Sequence, residues 1–202
     1  MNQAIQTLEE VALEASVCTK CRLSAGRTQV VFGTGSPTAN LMFIGEGPGY
    51  HEDKQGEPFV GAAGQLLTTL LTEIGLTREE VMIVNVIKCR PPGNRDPLPD
   101  EIEACRPYLE QQIELVNPRV IMTLGNFATR FILDKQVSIS RVRGQRFNIE
   151  GRIVVPTFHP AAILRGGGAA SSQMAAIRED FQTVRQVLNE IPEPVEEQLD
   201  LF

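Results

Sequence analysis

The sequence predicts an α/β fold, a three-layer α/β/α sandwich built around a four-stranded parallel sheet. Four short apolar segments are typical of buried strands: residues 41–45, 81–87, 120–125 and 153–158. Helical patterns separate these segments, and strands that alternate with helices favour a parallel sheet covered on both faces. The length of 202 residues and the hydrophobic fraction of 42% suit one domain with a sizeable core.

Five segments show helical apolar spacing or a favourable helix terminus: residues 3–15, 62–74, 100–116, 126–133 and 171–189. Asn2 is a plausible N-cap for the first segment, and Ser171 or Ser172 for the last. Residues 137–152 are expected to form a small hairpin. The residues directly after the glycine-rich segment 45–49 are not expected to form an immediate amphipathic helix.

The net charge of −6 is concentrated at the C-terminus, where residues 190–202 carry five acidic residues and no Lys or Arg. The nearly neutral remainder can present a basic face to nucleic acid, although bases such as Lys88, Arg90 and Arg95 could equally be ordinary solvated surface. Residues 1–190 are expected to form a single domain, and residues 191–202 a disordered acidic tail. The sequence shows neither a bilayer-spanning apolar segment nor a secretory signal, which predicts a cytoplasmic protein.

All four cysteines belong to one interrupted pattern: Cys18, Cys21, Cys89 and Cys105. Structural disulfides are rare in the cytoplasm, and the Cys-x-x-Cys half favours a metal centre over four ordinary buried thiols. The spacing alone allows zinc as well as an iron–sulfur cluster. A ligated centre would hold the N-terminal segment against the wall of the expected active site.

Polar residues lie at the ends of three expected strands: Glu46, Asn85 and His159. Ligands of open α/β sheets bind at the carboxyl ends of the strands, so we expect these three residues to line one pocket. A buried Asn suits the Watson–Crick edge of a base, but it suits a structural role as well. The exit of His159 from its strand favours function over a satisfied core histidine. Phe59, in a loop, could stack on a base or plug the top of the core.

Eight motifs are informative in combination: Cys18-x-x-Cys21, Gly45-Glu46-Gly47-Pro48-Gly49, Glu52-Asp53, Pro58-Phe59-Val60-Gly61, Asn85-Val86, Lys88-Cys89-Arg90-Pro91-Pro92-Gly93-Asn94-Arg95, Cys105 and His159-Pro160-Ala161-Ala162. Together, over roughly residues 15–190, they resemble the family 4 uracil-DNA glycosylases, the iron–sulfur members of the uracil-DNA glycosylase superfamily. The resemblance implies a [4Fe–4S] cluster on the four cysteines. It also implies a four-stranded parallel sheet between helices.

The resemblance further implies a DNA-repair enzyme, expected to be a monomer, that flips deoxyuridine out of single- or double-stranded DNA. The enzyme would hydrolyse the N-glycosidic bond, releasing uracil and leaving an abasic site. In such an enzyme Phe59 stacks on uracil, Asn85 reads its N3–H and O4 edge, and Glu52 excludes the methyl group of thymine. His159 stabilises the charge that grows on uracil O2, assisted by backbone N–H groups near Gly47.

Two parts of the resemblance are less complete. Glu46 is expected to position water or stabilise the sugar cation, but it could instead hold the shape of its loop. Leu164 and Arg165 match the segment that inserts into the DNA stack, whereas Gly166-Gly167-Gly168 replaces the Asn-Pro usual in relatives and predicts a longer, more mobile loop. The alternative is a uracil-DNA-binding or clamp-tethered iron–sulfur protein without turnover.

The C-terminal residues carry a separate signal: Gln198, Leu199, Leu201 and Phe202. They resemble the peptide with which bacterial replication and repair proteins bind the sliding clamp. Such a peptide is extended and places its apolar side chains in pockets of the partner. An incidental apolar terminus is the other interpretation.

Overall fold

The computed structural model describes residues 7–190. The expected tail, with its clamp-binding-like residues Gln198, Leu199, Leu201 and Phe202, lies outside the described residues. Six strands are present in the described part: β1 (Thr34–Gly35), β2 (Leu41–Gly45), β3 (Met82–Asn85), β4 (Val120–Leu124), β5 (Phe147–Ile149) and β6 (Arg152–Thr157). The α-helices are α1 (Leu8–Ser16), α2 (Tyr50–Gln55), α3 (Ala62–Glu73), α4 (Pro99–Val116), α5 (Asn126–Leu133), α6 (Ile139–Val142), α7 (Pro160–Arg165) and α8 (Ser172–Glu190).

The strands form one sheet in the order β1-β3-β2-β4-β6-β5. Its four central strands run parallel, which confirms the predicted fold class. Two antiparallel edge strands enlarge the predicted sheet from four strands to six. Strand β5 belongs to the expected hairpin, while the two-residue strand β1 is too short to leave an apolar pattern in the sequence.

Side chains alternate across the sheet and supply a core to each face. Leu41 and Phe43 point towards α3, α7 and α8, whereas Met42 and Ile44 pack with residues of α4 and α5. This alternation is the normal consequence of strand geometry, and it explains why the strand sequence is continuously apolar. Helix α1 lies outside these layers and packs against α4 through Val11 and its neighbours.

Two expectations about the helices are wrong. The first described helix begins at Leu8, and its N-cap is Thr7, which exchanges hydrogen bonds with Glu10 in a capping box, rather than Asn2. A helix does follow the glycine-rich segment, because Gly49 is the N-cap of α2 and Gly56 ends that helix in a left-handed conformation. None of the helices between residues 7 and 190 combines the length and apolarity needed to cross a bilayer.

A buried carboxylate fixes the strand that leads to His159. Asp180 of α8 accepts hydrogen bonds from Thr157 at the end of β6 and from the Arg143 guanidinium.

The C-terminal end of α8 lies beside the beginnings of the parallel strands, where Asn189 lines a cavity of about 420 Å³ together with Asn40 and Arg119. The two ends of the strands therefore face different surroundings.

Candidate active site

A cavity of about 290 Å³ lies at the carboxyl ends of the parallel strands. It contains all six predicted residues of the base site: Glu46, Gly47, Glu52, Phe59, Asn85 and His159. Strand order reverses between β2 and β4, and a crevice at such a switch point is the usual ligand site of an open α/β sheet. The topology thus brings together residues that are far apart in the sequence.

Asn85 presents an unused hydrogen-bonding group to this cavity. Its Oδ1 atom is buried and accepts no hydrogen bond from the described residues. A buried polar atom without a partner is costly, which argues for a ligand as its partner. The main chain of Asn85 is fixed, because its carbonyl accepts a 2.7 Å hydrogen bond from Lys88 Nζ. A Cβ on Gly45 would lie 2.4 Å from Asn85 Oδ1, so only glycine leaves room for the amide.

Phe59 is held in a strained backbone conformation. Its φ is +56°, a region that aromatic residues rarely adopt, and its side chain is only 7% exposed. Three contacts maintain this conformation. Arg78 donates hydrogen bonds to the carbonyls of Pro58 and Phe59 at 2.8 and 3.2 Å. Gly64 lets α3 approach closely, since a Cβ there would lie 1.6 Å from the Phe59 carbonyl oxygen. Phe59 therefore both packs in the core and lines the cavity.

Glu52 supplies the third contact. Its Oε1 atom accepts hydrogen bonds from the backbone N–H groups of Val60 and Gly61 at 3.0 and 2.9 Å. These bonds tie α2 to the loop directly after Phe59. Glu52 also lines the cavity, so one carboxylate shapes the loop and forms part of the cavity wall.

His159 is held as a neutral imidazole. Its Nδ1 atom accepts a 3.1 Å hydrogen bond from the backbone N–H of Ala161, which leaves the ring proton on Nε2. Burial and, to a smaller extent, the nearby cation Arg165 lower the pKa of His159 to about 4, against the opposing effect of Glu52. The imidazole also faces the Phe59 ring, with centroids 5.7 Å apart. His159 is consequently a hydrogen-bond donor of fixed orientation.

Glu46 has a pKa that suits general acid–base catalysis near neutral pH. Burial and, to a smaller extent, the Asp96 carboxylate raise the pKa of Glu46 to about 7, against the opposing effect of Arg165. The loop that carries Asp96 is pinned by Arg95, which donates two hydrogen bonds to Glu101 and one to the Asp96 carbonyl. The electrostatic environment of Glu46 thus depends on a loop some fifty residues away in the sequence.

The predicted DNA-insertion residues lie on α7. Leu164 is 39% exposed, whereas Arg165 lines the cavity. Gly166 ends the helix, and a short 3₁₀ turn follows at Gly168–Ala170. The insertion role stays a prediction.

The four cysteines line a second, smaller cavity, together with the cations Lys20, Arg27 and Lys88. Backbone N–H groups donate to sulfur, from Lys88 to Cys105 at 3.3 Å and from Lys20 to Cys18 at 3.5 Å. Arg27 also donates to Cys89 Sγ at 3.5 Å. Within the described residues no group of three or more His, Cys, Asp or Glu side chains is arranged to hold a metal ion.

Sequence analysis misplaced one residue that shapes the sites and missed two others. Lys88 is not a surface base: it is 1% exposed, and its ammonium donates to Asn85 and to Gln112. Its position between buried Ile87 and Cys89 was the available signal. Arg78 and Asp96 carry no sequence pattern, because their effects depend on tertiary contacts.

Comparison with known proteins is consistent with this geometry. The family described as the uracil DNA glycosylase superfamily matches residues 32–182. A type-4 uracil-DNA glycosylase of Thermotoga maritima is 51% identical over 162 residues, covering 79% of this chain and 84% of the relative. A type-4 uracil-DNA glycosylase of Sulfurisphaera tokodaii is 46% identical over 192 residues, covering 91% of this chain and 86% of the relative.

The tautomer of His159 can be tested directly by ¹⁵N NMR. A His51→Asn variant leaves His159 as the remaining histidine. We expect a protonated Nε2 and an unprotonated Nδ1 at neutral pH, unchanged down to about pH 5, because the folded-state pKa lies well below the ordinary value. Protonation of both ring nitrogens at neutral pH would contradict the assignment.

Proposed function

Because the chain belongs to the type-4 uracil-DNA glycosylases of the uracil-DNA glycosylase superfamily, we propose that it removes uracil from DNA by hydrolysing the N-glycosidic bond. The observation that carries the proposal is the convergence of Glu46, Asn85 and His159 on one cavity in which the Asn85 Oδ1 atom lacks a partner. The target nucleotide must leave the base stack to reach this cavity. The products are free uracil and an abasic site.

Asn85 selects uracil by its pattern of donors and acceptors. Its Oδ1 atom accepts from uracil N3–H, and its amide nitrogen donates to O4. Cytosine presents an acceptor at N3 and a donor at N4, so both contacts would be mismatched. The fixed main chain of Asn85 supports this role, since recognition needs an amide that does not shift. The Phe59 ring in the cavity wall offers a stacking surface for the same base.

His159 and Glu46 act on opposite sides of the breaking bond. When the bond from C1′ to N1 breaks, its electron pair moves onto uracil, and charge accumulates on O2. The Nε2–H of neutral His159 donates to that oxygen, assisted by backbone N–H groups near Gly47; each such donor is worth about 3 kcal/mol. Water then adds to C1′ of the oxocarbenium-like sugar, and ionised Glu46 orients that water and accepts its proton.

Glu52 is proposed to exclude thymine. Its Oε1 atom is occupied by two backbone N–H groups, so the carboxylate is rigid and cannot move away from a methyl group. Rigid exclusion of a single methyl group is more effective than exclusion by a mobile side chain. Leu164 and Arg165 are proposed to enter the base stack as the nucleotide leaves it.

The second cavity is proposed to hold a [4Fe–4S] cluster on Cys18, Cys21, Cys89 and Cys105. The proposal is supported by the four thiols that line one cavity, and by the three cations and two backbone N–H groups there that would compensate the negative charge of a cluster held by thiolates. The cluster would supply no chemistry to base removal. It would fix the N-terminal segment against residues 88–90.

A binding protein without turnover is not favoured, because the relatives matched over most of their length are glycosylases by name. We further propose that residues 198–202 bind a bacterial sliding clamp. This proposal is supported by the sequence of those residues alone.

A uracil-release assay on oligonucleotides with a single deoxyuridine tests the activity. We expect the His159→Ala and Asn85→Ala variants to lose about two or more decades of rate while DNA binding is retained, since each removes a contact made to the reacting base. Asn148→Ala, which alters an exposed residue outside the cavity, is the matched control for Asn85→Ala. Wild-type protein that releases no uracil, or a His159→Ala variant at full rate, would refute the proposal.

The pH dependence of kcat/KM tests Glu46. The free-enzyme base must be ionised, so we expect activity to rise with pH by about tenfold between about pH 6 and about pH 8 and then to level off. The Glu46→Gln variant should be slow and lack this rise, and Glu150→Gln, on the exposed hairpin, should keep it. If Glu46→Gln keeps the wild-type profile, Glu46 serves only to shape its loop.

Clamp binding can be separated from catalysis by removing residues 198–202. The truncated protein should no longer be retained on an immobilised bacterial sliding clamp, because the apolar anchors are gone, yet it should release uracil from short oligonucleotides at the full-length rate. A full-length Glu196→Gln, Glu197→Gln variant, which keeps the anchors, is the control. Retention of the truncated protein would exclude this segment as the binding element.

A further inference from the structure

An exposed aromatic residue directly follows a residue that lines the active-site cavity. Tyr50 is the first residue of α2, directly after Gly49, which lines the cavity. Its side chain is 50% exposed, and it is not part of the base site described above. An exposed aromatic side chain offers a surface on which a nucleobase can stack.

The ring is held in place by a neighbouring cation. The Arg90 guanidinium lies over the Tyr50 ring, with its central carbon 5.1 Å from the centroid, and Arg90 Nε donates a 2.7 Å hydrogen bond to Asn94 Oδ1. Asn94 itself lines the cavity, and its backbone N–H closes a turn onto the Pro91 carbonyl. The His51 ring approaches Tyr50 edge-on, with centroids 5.5 Å apart. Tyr50, Arg90 and Asn94 are called the stacking platform below.

We propose that the stacking platform binds the nucleobase next to the extruded deoxyuridine. The Arg90 guanidinium lies over the Tyr50 ring, and the side chain is still 50% exposed, so it retains aromatic surface on which a base can stack. Extrusion removes the stacking partner of each flanking base, and an aromatic ring can replace it at a gain of about 1–3 kcal/mol. The positive charge of Arg90 favours an approaching phosphate backbone over an apolar peptide. The inference deepens the proposed function and rests on it.

The occupant follows from the position of the platform. It adjoins the cavity through Gly49 on one segment and Asn94 on another, which places it within reach of the nucleotides next to the one that enters the cavity. Stacking is tolerant of sequence, because every base has an aromatic face. The platform would thus contribute to DNA affinity without selecting a particular neighbour.

The test compares steady-state kinetics on three single-stranded oligonucleotides. The first carries one deoxyuridine, and the other two lack the base on its 5′ or its 3′ side, replaced by a tetrahydrofuran abasic analogue. On the first, Tyr50→Ala should raise KM by about tenfold and change kcat by less than about twofold, because the ring binds DNA but not the reacting base. Tyr50→Phe should behave as wild type. Leu13→Ala, at a 72% exposed position of α1, is the matched control and should also behave as wild type.

The modified oligonucleotides decide what the ring contacts. On the one that lacks the stacked base, wild-type KM should rise by about tenfold and the effect of Tyr50→Ala should vanish. An equal Tyr50→Ala effect on all three oligonucleotides, a Tyr50→Phe effect as large as that of Tyr50→Ala, or no effect would overturn the proposal. Fluorescence-anisotropy affinities for the same oligonucleotides, measured with and without Tyr50→Ala in a His159→Ala background that is expected to retain DNA binding, give the same comparison without turnover. Failure of the glycosylase activity and failure of the platform are therefore distinguishable.

Discussion

A fully buried ammonium group joins the two cavities of this protein. Lys88 Nζ donates to the main-chain carbonyl of Asn85 at 2.7 Å and to Gln112 Oε1 at 2.5 Å, and Gln112 in turn donates to the Phe32 carbonyl. Removing an ammonium from water is costly and is tolerated only when its donors are satisfied. The backbone N–H of Lys88 donates to Cys105 Sγ, so one residue links the end of β3, helix α4 and the cysteine cavity.

The active-site cavity is held in shape before any ligand arrives. Phe59 keeps its left-handed backbone because Arg78 and Glu52 hold the loop on both sides, and His159 keeps one tautomer because the Ala161 N–H occupies its other nitrogen. Strain of this kind persists where surrounding contacts over-determine the conformation. Groups fixed in this way need no reorganisation as charge develops on a leaving base. The contacts that shape the cavity wall consequently also fix the groups proposed to act on the base.

Much of this arrangement was predictable from local sequence. Continuous apolar segments located the four parallel strands, and polar residues at their ends located Glu46, Asn85 and His159, because parallel strands end at one edge. Strand β1 escaped prediction because its two residues pair through the backbone alone. Lys88 was misread as a surface residue because charged side chains are usually exposed to solvent, and its burial depends on a tertiary contact with Gln112 of α4. The effect of Asp96 on Glu46 likewise depends on tertiary contacts between distant segments.

Helix α8 ends at the edge of the sheet where the parallel strands begin, while uracil chemistry is assigned to the edge where they end. The chain beyond Glu190 therefore starts on the side of the domain opposite the active-site cavity. Twelve residues can reach at most about 40 Å when fully extended. If the final residues bind a partner, as proposed, the tail tethers that partner to the side of the domain opposite the active-site cavity. The DNA-facing side then stays unobstructed, and a partner on the duplex raises the local concentration of the enzyme there.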